Sequence, residues 1–277
     1  MLFWVIDLLM IIMVAVAEES PQLIMYGGAW KGPHAEQNVL DAVSLGYRLF
    51  DTANVYPASY NETAVGVALE SVRLTGLLRR QELFIQTKFT PGIAKSHCPD
   101  GPWDPDNCMF DKAAELGTQV KQSAQTSLAH LRISQLDSLV LHETRQPWTD
   151  LQVIWRAMEE VFFDGRAAKI GLSHAHDPET FRRLLAFAKV KPSFVQNPIF
   201  AYNQWDRDIR LICLEHGIVY QAYSLNHQEN DYVYETEEVR AIARRLERTP
   251  QQVIVAFIKR LGLLPLVGPQ VLYVNLK

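Results

Sequence analysis

The chain has 277 residues, of which 48% are hydrophobic and 21% are charged, a composition typical of a globular protein that excludes a largely disordered chain. The formal net charge of -4 and the lack of a basic stripe argue against nucleic acid as a partner. The three cysteines form no CxxC pair, so no metal site is expected. Cys98 and Cys108 share a loop and either form a disulfide or, as we favour, remain reduced.

The first seventeen residues are almost wholly apolar and end on small residues typical of a signal-peptide cleavage site. They lack a basic residue near the start, contain Asp7, and are shorter than the roughly 20 residues of a membrane span. Asn61-Glu62-Thr63 is a glycosylation sequon, but a glycan there would obstruct the site expected below. We therefore expect an apolar extension over residues 1–20 and a barrel over residues 21–277. We also expect a cytoplasmic location and no clear membrane partner. The alternative is that the apolar N-terminus is a signal or an anchor.

Eight short apolar runs follow in chain order, at residues 23–27, 47–51, 83–88, 136–142, 168–173, 193–197, 217–224 and 263–267. Most are separated by segments with 3.6-residue apolar spacing, such as residues 116–131 and 239–246. Thr249-Pro250-Gln251-Gln252 predicts a capped helix start, and Gly262 a helix end. Apolar strands alternating with helices predict a closed (β/α)8 TIM barrel. An open doubly wound sheet is the alternative, disfavoured because no GxGxxG follows any strand.

Two segments depart from a plain barrel. Residues 90–112 form a long loop after the third strand, which predicts a lid over a site. Only eleven residues follow Leu266, so the sequence predicts a barrel that lacks the last helix and the C-terminal loop. Uncovered apolar barrel surface would make self-association a feasible outcome.

Polar residues occupy the ends of several predicted strands, where barrel enzymes carry their chemistry: Asp51, Lys88, His142, Ser173, His174, Gln196, Asn197, Tyr223 and Ser224. An ammonium lowers the pKa of a nearby phenol, a carboxylate holds that ammonium, and an imidazole can orient a substrate oxygen. Such a set polarises a carbonyl and protonates it, but a reduction also needs a hydride donor. Ser173, His174 and Gln196 could hold a carboxamide and Tyr223 could stack on a flat ring, which are the needs of a nicotinamide.

Residues 46–53 (GYRLFDTA) followed by residues 61–66 (NETAVG) resemble the GYRxxDTA…NExxVG signature of the aldo-keto reductases. Weaker similarities are collinear with it, at residues 27–31, 86–88, 141–142, 171–173 and 222–224. The resemblance covers residues 22 to 268. It implies an NADPH-dependent reductase of small-molecule carbonyls on a (β/α)8 barrel.

The resemblance also implies roles for individual residues. The catalytic tetrad would be Asp51, Tyr56, Lys88 and His142, with Tyr60 as the alternative acid. Trp30 would line the substrate pocket. The implied coenzyme-binding residues are Gly28, Trp30, Asp51, Ser173, His174, Gln196, Tyr223, Ser224, Leu225 and Gly268.

Four departures from the family pattern stand out. Counting forward from Asp51 favours Tyr56 as the acid, whereas counting back from the next helix favours Tyr60. His174 stands where the family has an asparagine, and Gly28 where it has a threonine. Residues 266–268 replace the Lys-Ser pair that grips the coenzyme's 2′-phosphate, so NADP(H) is expected and NAD(H) is left open.

Two other functions compete with the reductase. A nicotinamide-binding regulatory or interaction subunit with weak or no catalysis would fit the shortened C-terminal end. A barrel that uses Lys88 as a Schiff-base amine would need an apolar, unpaired lysine, which a neighbouring Asp51 contradicts.

Overall fold

The structure is a computed structural model that describes residues 24–55, 60–91 and 109–268. Eight parallel strands pair in sequence order, and β1 pairs with β8 to close a barrel. The strands are β1 Met25–Gly27, β2 Leu49–Asp51, β3 Phe84–Phe89, β4 Ser138–Leu141, β5 Ile170–Ser173, β6 Phe194–Pro198, β7 Val219–Tyr223 and β8 Leu264–Val267. Each predicted apolar run thus overlaps one strand, and the (β/α)8 barrel is confirmed.

Helices connect the strands on the outside of the barrel. In chain order they are α1 Ala35–Ser44, α2 Glu62–Leu74, α3 Leu116–Leu131, α4 Trp148–Phe163, α5 Pro178–Phe187, α6 Arg207–Glu215, α7 Asp231–Tyr234, α8 Glu237–Leu246 and α9 Pro250–Arg260. Their apolar faces and the outward side chains of the strands form one hydrophobic layer, in which Trp155 and Phe50 are almost wholly buried.

The helix signals in the sequence are borne out. In α3, Val120, Ala124 and Leu128 are buried, as their spacing predicts. The capping box at the start of α9 is present, with Thr249 and Gln252 bonded reciprocally, and Gly262 has a left-handed φ of 76°. In α8 the predicted stripe is partly buried: Ala243 is buried, Val239 and Ile242 are half-buried, and Leu246 is exposed.

The strand register decides which side chains meet inside the barrel. Asp51 at the end of β2 pairs with Gln86 on β3, and Ser173 on β5 pairs with Gln196 on β6. Side chains alternate along a strand, so Gln86 and Lys88 share one face of β3. That face is the barrel interior, and it brings Asp51 and Lys88 together at the C-terminal ends of the strands.

Several predictions fall on parts of the chain that lie outside the described residues. These are the apolar N-terminal extension, Tyr56, most of the expected lid with Cys98 and Cys108, and the segment after Gly268. No described helix has the length and apolar character needed to cross a bilayer. The cytoplasmic location and self-association stay predictions. Asn61, the residue of the sequon, is the N-cap of α2, where its side-chain oxygen accepts from the amide of Ala64 at 3.0 Å.

Candidate active site

A buried ion pair lies at the C-terminal end of the barrel interior. Lys88 Nζ donates to Asp51 Oδ2 at 2.6 Å and to the carbonyl oxygen of Thr52 at 2.8 Å. The Lys88 side chain has no solvent exposure and that of Asp51 has 2%. Burial lowers the pKa of Lys88, and the charge and hydrogen bond of Asp51 oppose that effect. The carboxylate therefore holds a compact positive charge in a site that water does not reach.

Tyr60 lies directly over this charge. The centroid of its ring is 4.8 Å from Lys88 Nζ, and the ring meets that of His142 edge-on at 5.9 Å. An antiparallel bridge to Ala29 holds the backbone of Tyr60 beside the end of β1. Burial and the negative charge of Asp51 raise the pKa of the Tyr60 phenol well above its usual value, so the hydroxyl keeps its proton at neutral pH.

His142 follows β4 and is 3% exposed. Its Nδ1 is 2.7 Å from the hydroxyl oxygen of Thr90, which follows β3. When the Thr90 hydroxyl donates to Nδ1, the imidazole carries its hydrogen on Nε2. In that tautomer His142 can donate a hydrogen bond from Nε2.

His174 uses both ring nitrogens within the protein. Nδ1 is 2.8 Å from the carbonyl oxygen of His142, which can only accept, so Nδ1 carries a hydrogen. Nε2 is 2.6 Å from the hydroxyl of Tyr223, which donates to it when the imidazole is neutral. His174 therefore anchors the phenol of Tyr223 and the loop after β4. His174 also adopts a left-handed φ of 53°, rare for a residue with a side chain.

Ser173 is hydrogen-bonded to Gln196, and Gln196 is hydrogen-bonded to Asp51 of the ion pair. The Ser173 hydroxyl donates to the backbone oxygen of Gln196 at 2.8 Å. Gln196 Nε2 donates to Asp51 Oδ1 at 3.0 Å and to Gln221 Oε1 at 2.9 Å. The amide nitrogen of Gln196 thus points into the barrel.

A cleft of about 670 Å³ opens over these residues. Nine of the ten residues expected at the coenzyme line it, together with Tyr60 and His142: Trp30, Asp51, Ser173, His174, Gln196, Tyr223, Ser224, Leu225 and Gly268. Gly28 is not among the lining residues. Its amide donates to the Asp51 backbone oxygen at 2.8 Å, and an added Cβ would lie 3.1 Å from that oxygen. Trp30 stands at the rim with 62% of its surface exposed.

The end of β8 carries no cation of its own, but Lys31 reaches it from the loop after β1. Lys31 Nζ donates to the Gly268 carbonyl oxygen at 2.5 Å, and the residue is 6% exposed. Burial lowers the pKa of Lys31. Gly268 also permits a close approach of backbones, because a Cβ there would lie 2.5 Å from the Gly27 oxygen.

The sequence was compared with known proteins. A statistical model of the Aldo/keto reductase family matches residues 24–272. The chain belongs to this family. It is 26% identical to the NADPH-dependent D-xylose reductase of Meyerozyma guilliermondii over 85% of this chain and 78% of that protein. It is 30% identical to the (1S)-1,7-diacetoxy-luvungin A aldo-keto reductase of Citrus sinensis, over 82% of this chain and 70% of that protein.

Solved structures agree on the fold of this aldo/keto reductase family member. An aldo/keto reductase from Brucella melitensis superposes with a TM-score of 0.71 at 22% identity, covering 90% of this chain and 84% of that one. The enzyme MGS-M4 from a Medee basin deep-sea metagenome library gives 0.72 at 21% identity, covering 92% and 84%.

Sequence reasoning missed several residues of this aldo/keto reductase site. Gln86 and Gln221 are fully buried. Gln86 donates to Asp51 of the ion pair, and Gln221 bonds to Gln86 and Gln196. A polar residue inside an otherwise apolar predicted strand was the signal that could have identified both glutamines. Thr90 and Lys31 gave no comparable signal, since each lies in a loop where a polar residue is ordinary.

Proposed function

We propose that this chain is an NADP(H)-dependent reductase that converts an aldehyde or ketone to an alcohol, with Tyr60 as the proton donor. The observation that carries the proposal is the buried Lys88 ammonium, held by Asp51, lying over the Tyr60 ring beside His142 at the base of the cleft. The cleft volume of about 670 Å³ lies in the usual range for small-molecule and cofactor sites.

The residues of the cleft fit a nicotinamide coenzyme. Gln196 and Ser173 offer polar groups for a carboxamide, and Tyr223 offers a ring face whose hydroxyl is anchored on His174. When bound, the coenzyme supplies the hydride that adds to the carbonyl carbon. Lys31 supports NADP(H) over NAD(H), because it provides a cation at the end of β8, where residues 266–268 provide none.

The protein's own groups would act on the carbonyl oxygen. His142 orients that oxygen through a hydrogen bond, and Tyr60 donates its proton to it as the hydride arrives at the carbon. The Lys88 ammonium stabilises the phenolate that remains, while Asp51 keeps the ammonium in place. The product is a neutral alcohol, and the phenolate then recovers a proton from solvent.

We therefore assign the proton donor of the tetrad to Tyr60 rather than to Tyr56, which the spacing from Asp51 in the sequence favours. The contact of Tyr60 with Lys88 and His142 supports this choice. We expect Tyr60→Phe to lower kcat by roughly 10²- to 10⁴-fold, the usual contribution of a general acid, with NADPH affinity unchanged. Tyr56→Phe should retain turnover. Loss of activity with Tyr56→Phe alone would assign the acid to Tyr56.

The rival functions predict different outcomes in the same assays. A regulatory subunit would bind NADPH without reducing an activated aromatic aldehyde, and the proximity of Asp51, Lys88, Tyr60 and His142 argues against it. A Schiff-base enzyme would need a neutral Lys88 amine. Although burial lowers the pKa of Lys88, its hydrogens are donated to Asp51 and Thr52, so the charged form is the one that is bound.

A further inference from the structure

Two glutamines below the cleft pair with each other across the barrel interior. Gln86 on β3 donates from Nε2 to Gln221 Oε1 at 2.8 Å, and Gln221 on β7 donates from Nε2 to Gln86 Oε1 at 2.9 Å. Both residues are 0% exposed, and neither lines the cleft. They touch no expected position of a substrate or coenzyme, so a direct catalytic role is excluded.

The pair connects Asp51 to Gln196. Gln86 Nε2 also donates to Asp51 Oδ1 at 2.7 Å, and Gln196 Nε2 donates both to that oxygen at 3.0 Å and to Gln221 Oε1 at 2.9 Å. Four side chains from four strands thus form one closed hydrogen-bonded network around the carboxylate that holds Lys88.

The direction of every hydrogen bond in the network follows from the charge on Asp51. An ionised carboxylate only accepts, so the Gln86 atom at 2.7 Å must be nitrogen. The oxygen of Gln86 then faces Gln221 Nε2, which turns Gln221 Oε1 towards Gln196. The Gln196 atom between two acceptors must therefore also be nitrogen.

This arrangement decides what Gln196 presents to a ligand. Its amide hydrogens are directed at Asp51 and Gln221, so its carbonyl oxygen is the group left for the cleft that Gln196 lines. A carbonyl oxygen accepts a hydrogen bond from the NH₂ of a carboxamide. With the amide reversed, two N–H groups would face that NH₂ and neither could accept.

We propose that Gln86 and Gln221 are positioning residues that hold Gln196 with its acceptor oxygen towards the nicotinamide carboxamide. The ionised Asp51 carboxylate, which only accepts hydrogen bonds, sets the orientation of the amides. The inference rests on the proposed function. The mutual hydrogen bonds of the pair do not by themselves require glutamines, because two apolar residues of similar shape can replace a buried hydrogen-bonded pair at little cost in stability. The bonds from the pair to Asp51 and Gln196 are the ones that orient the site.

The inference is tested by a double variant in which both glutamines are replaced by apolar residues of similar shape. Gln86→Met with Gln221→Met removes the mutual hydrogen bonds of the pair from both sides, and it leaves Gln196 Nε2 with its bond to Asp51 Oδ1. Binding of NADP⁺ is compared by calorimetry with binding of its 3-acetylpyridine analogue, which has a carbonyl but no NH₂ group. Thr87→Val is the matched control, because it removes a buried hydrogen bond on the same strand, from Thr87 to Glu62, outside the network.

We expect the parent and Thr87→Val to bind NADP⁺ about tenfold more tightly than the analogue, the effect of one hydrogen bond. The double variant should lose part of this preference, because only the bond to Asp51 then orients the Gln196 amide. The single variant Gln221→Met, should the double variant not fold, is expected to lose part of the preference. An unchanged preference in these variants overturns the inference while leaving the reductase proposal intact. A parent that binds neither dinucleotide overturns both.

Discussion

Removal of the buried ammonium by Lys88→Met should reduce turnover far more than coenzyme binding. Lys88 Nζ is 4.8 Å from the centroid of the Tyr60 ring. For a unit negative charge centred on the ring, that separation and an effective dielectric constant of about 20 give a stabilisation of about 3.5 kcal/mol. Loss of that stabilisation corresponds to a decrease in kcat of roughly 300-fold.

The same substitution also destabilises the fold, because it leaves Asp51 buried without its partner. Breaking a buried ion pair from one side costs about 3–5 kcal/mol. The double variant Asp51→Asn with Lys88→Met removes both charges and should recover much of this stability. It should not recover the rate, since the phenolate would still have no ammonium beside it.

The assay is NADPH consumption with an activated aromatic aldehyde, with thermal unfolding measured on each variant. Lys169→Met is the matched control, because Lys169 is exposed and its ammonium is 5.7 Å from the ring of Phe194, away from the cleft. It should keep the parent rate. Turnover of Lys88→Met at the parent rate, or a double variant that regains the rate along with the stability, would refute the catalytic role of the ammonium.

Two further predictions concern coenzyme choice and alkaline stability. Lys31→Met should raise the Kd for NADPH roughly tenfold, which is about 1.5 kcal/mol for a contact with a charged group. The Kd for NADH should be nearly unchanged. Equal effects on both coenzymes would show that Lys31 does not recognise the 2′-phosphate. Burial raises the pKa of the Cys213 thiol from 9.0 to about 12, so the unfolded chain loses this proton first and the unfolding free energy falls as pH rises through that window. The difference in unfolding free energy between the parent and Cys213→Ala, measured by urea unfolding, should shrink by at most about 1.4 kcal/mol per pH unit above pH 9. A difference that stays constant with pH would contradict a buried, protonated thiol.

The barrel could be predicted from the sequence because its causes are local. Strands of a covered parallel sheet are apolar along their length, so each run such as residues 83–88 marks a strand. Thr249 and Gln252 mark the start of α9 for an equally local reason, since a capping box needs only residues three apart.

The partners within the site depend on contacts between distant parts of the chain. Gln86 and Gln221 are separated by 135 positions, and Lys31 and Gly268 by 237, so no pattern along the chain pairs them. The choice between the two tyrosines is open in the sequence for a related reason, since both lie between β2 and α2, where no periodicity relates either of them to Lys88.

The central claim is that this cleft passes a hydride to a carbonyl while Tyr60 supplies the proton. The most direct measurement uses NADPH deuterated at the reactive position of its nicotinamide ring and follows deuterium into the alcohol by mass spectrometry. We predict a deuterated alcohol from the parent and a yield reduced at least a hundredfold from Tyr60→Phe at equal coenzyme occupancy. A parent that binds the labelled coenzyme and forms no deuterated alcohol, or a Tyr60→Phe variant that forms it at the parent rate, would contradict the account.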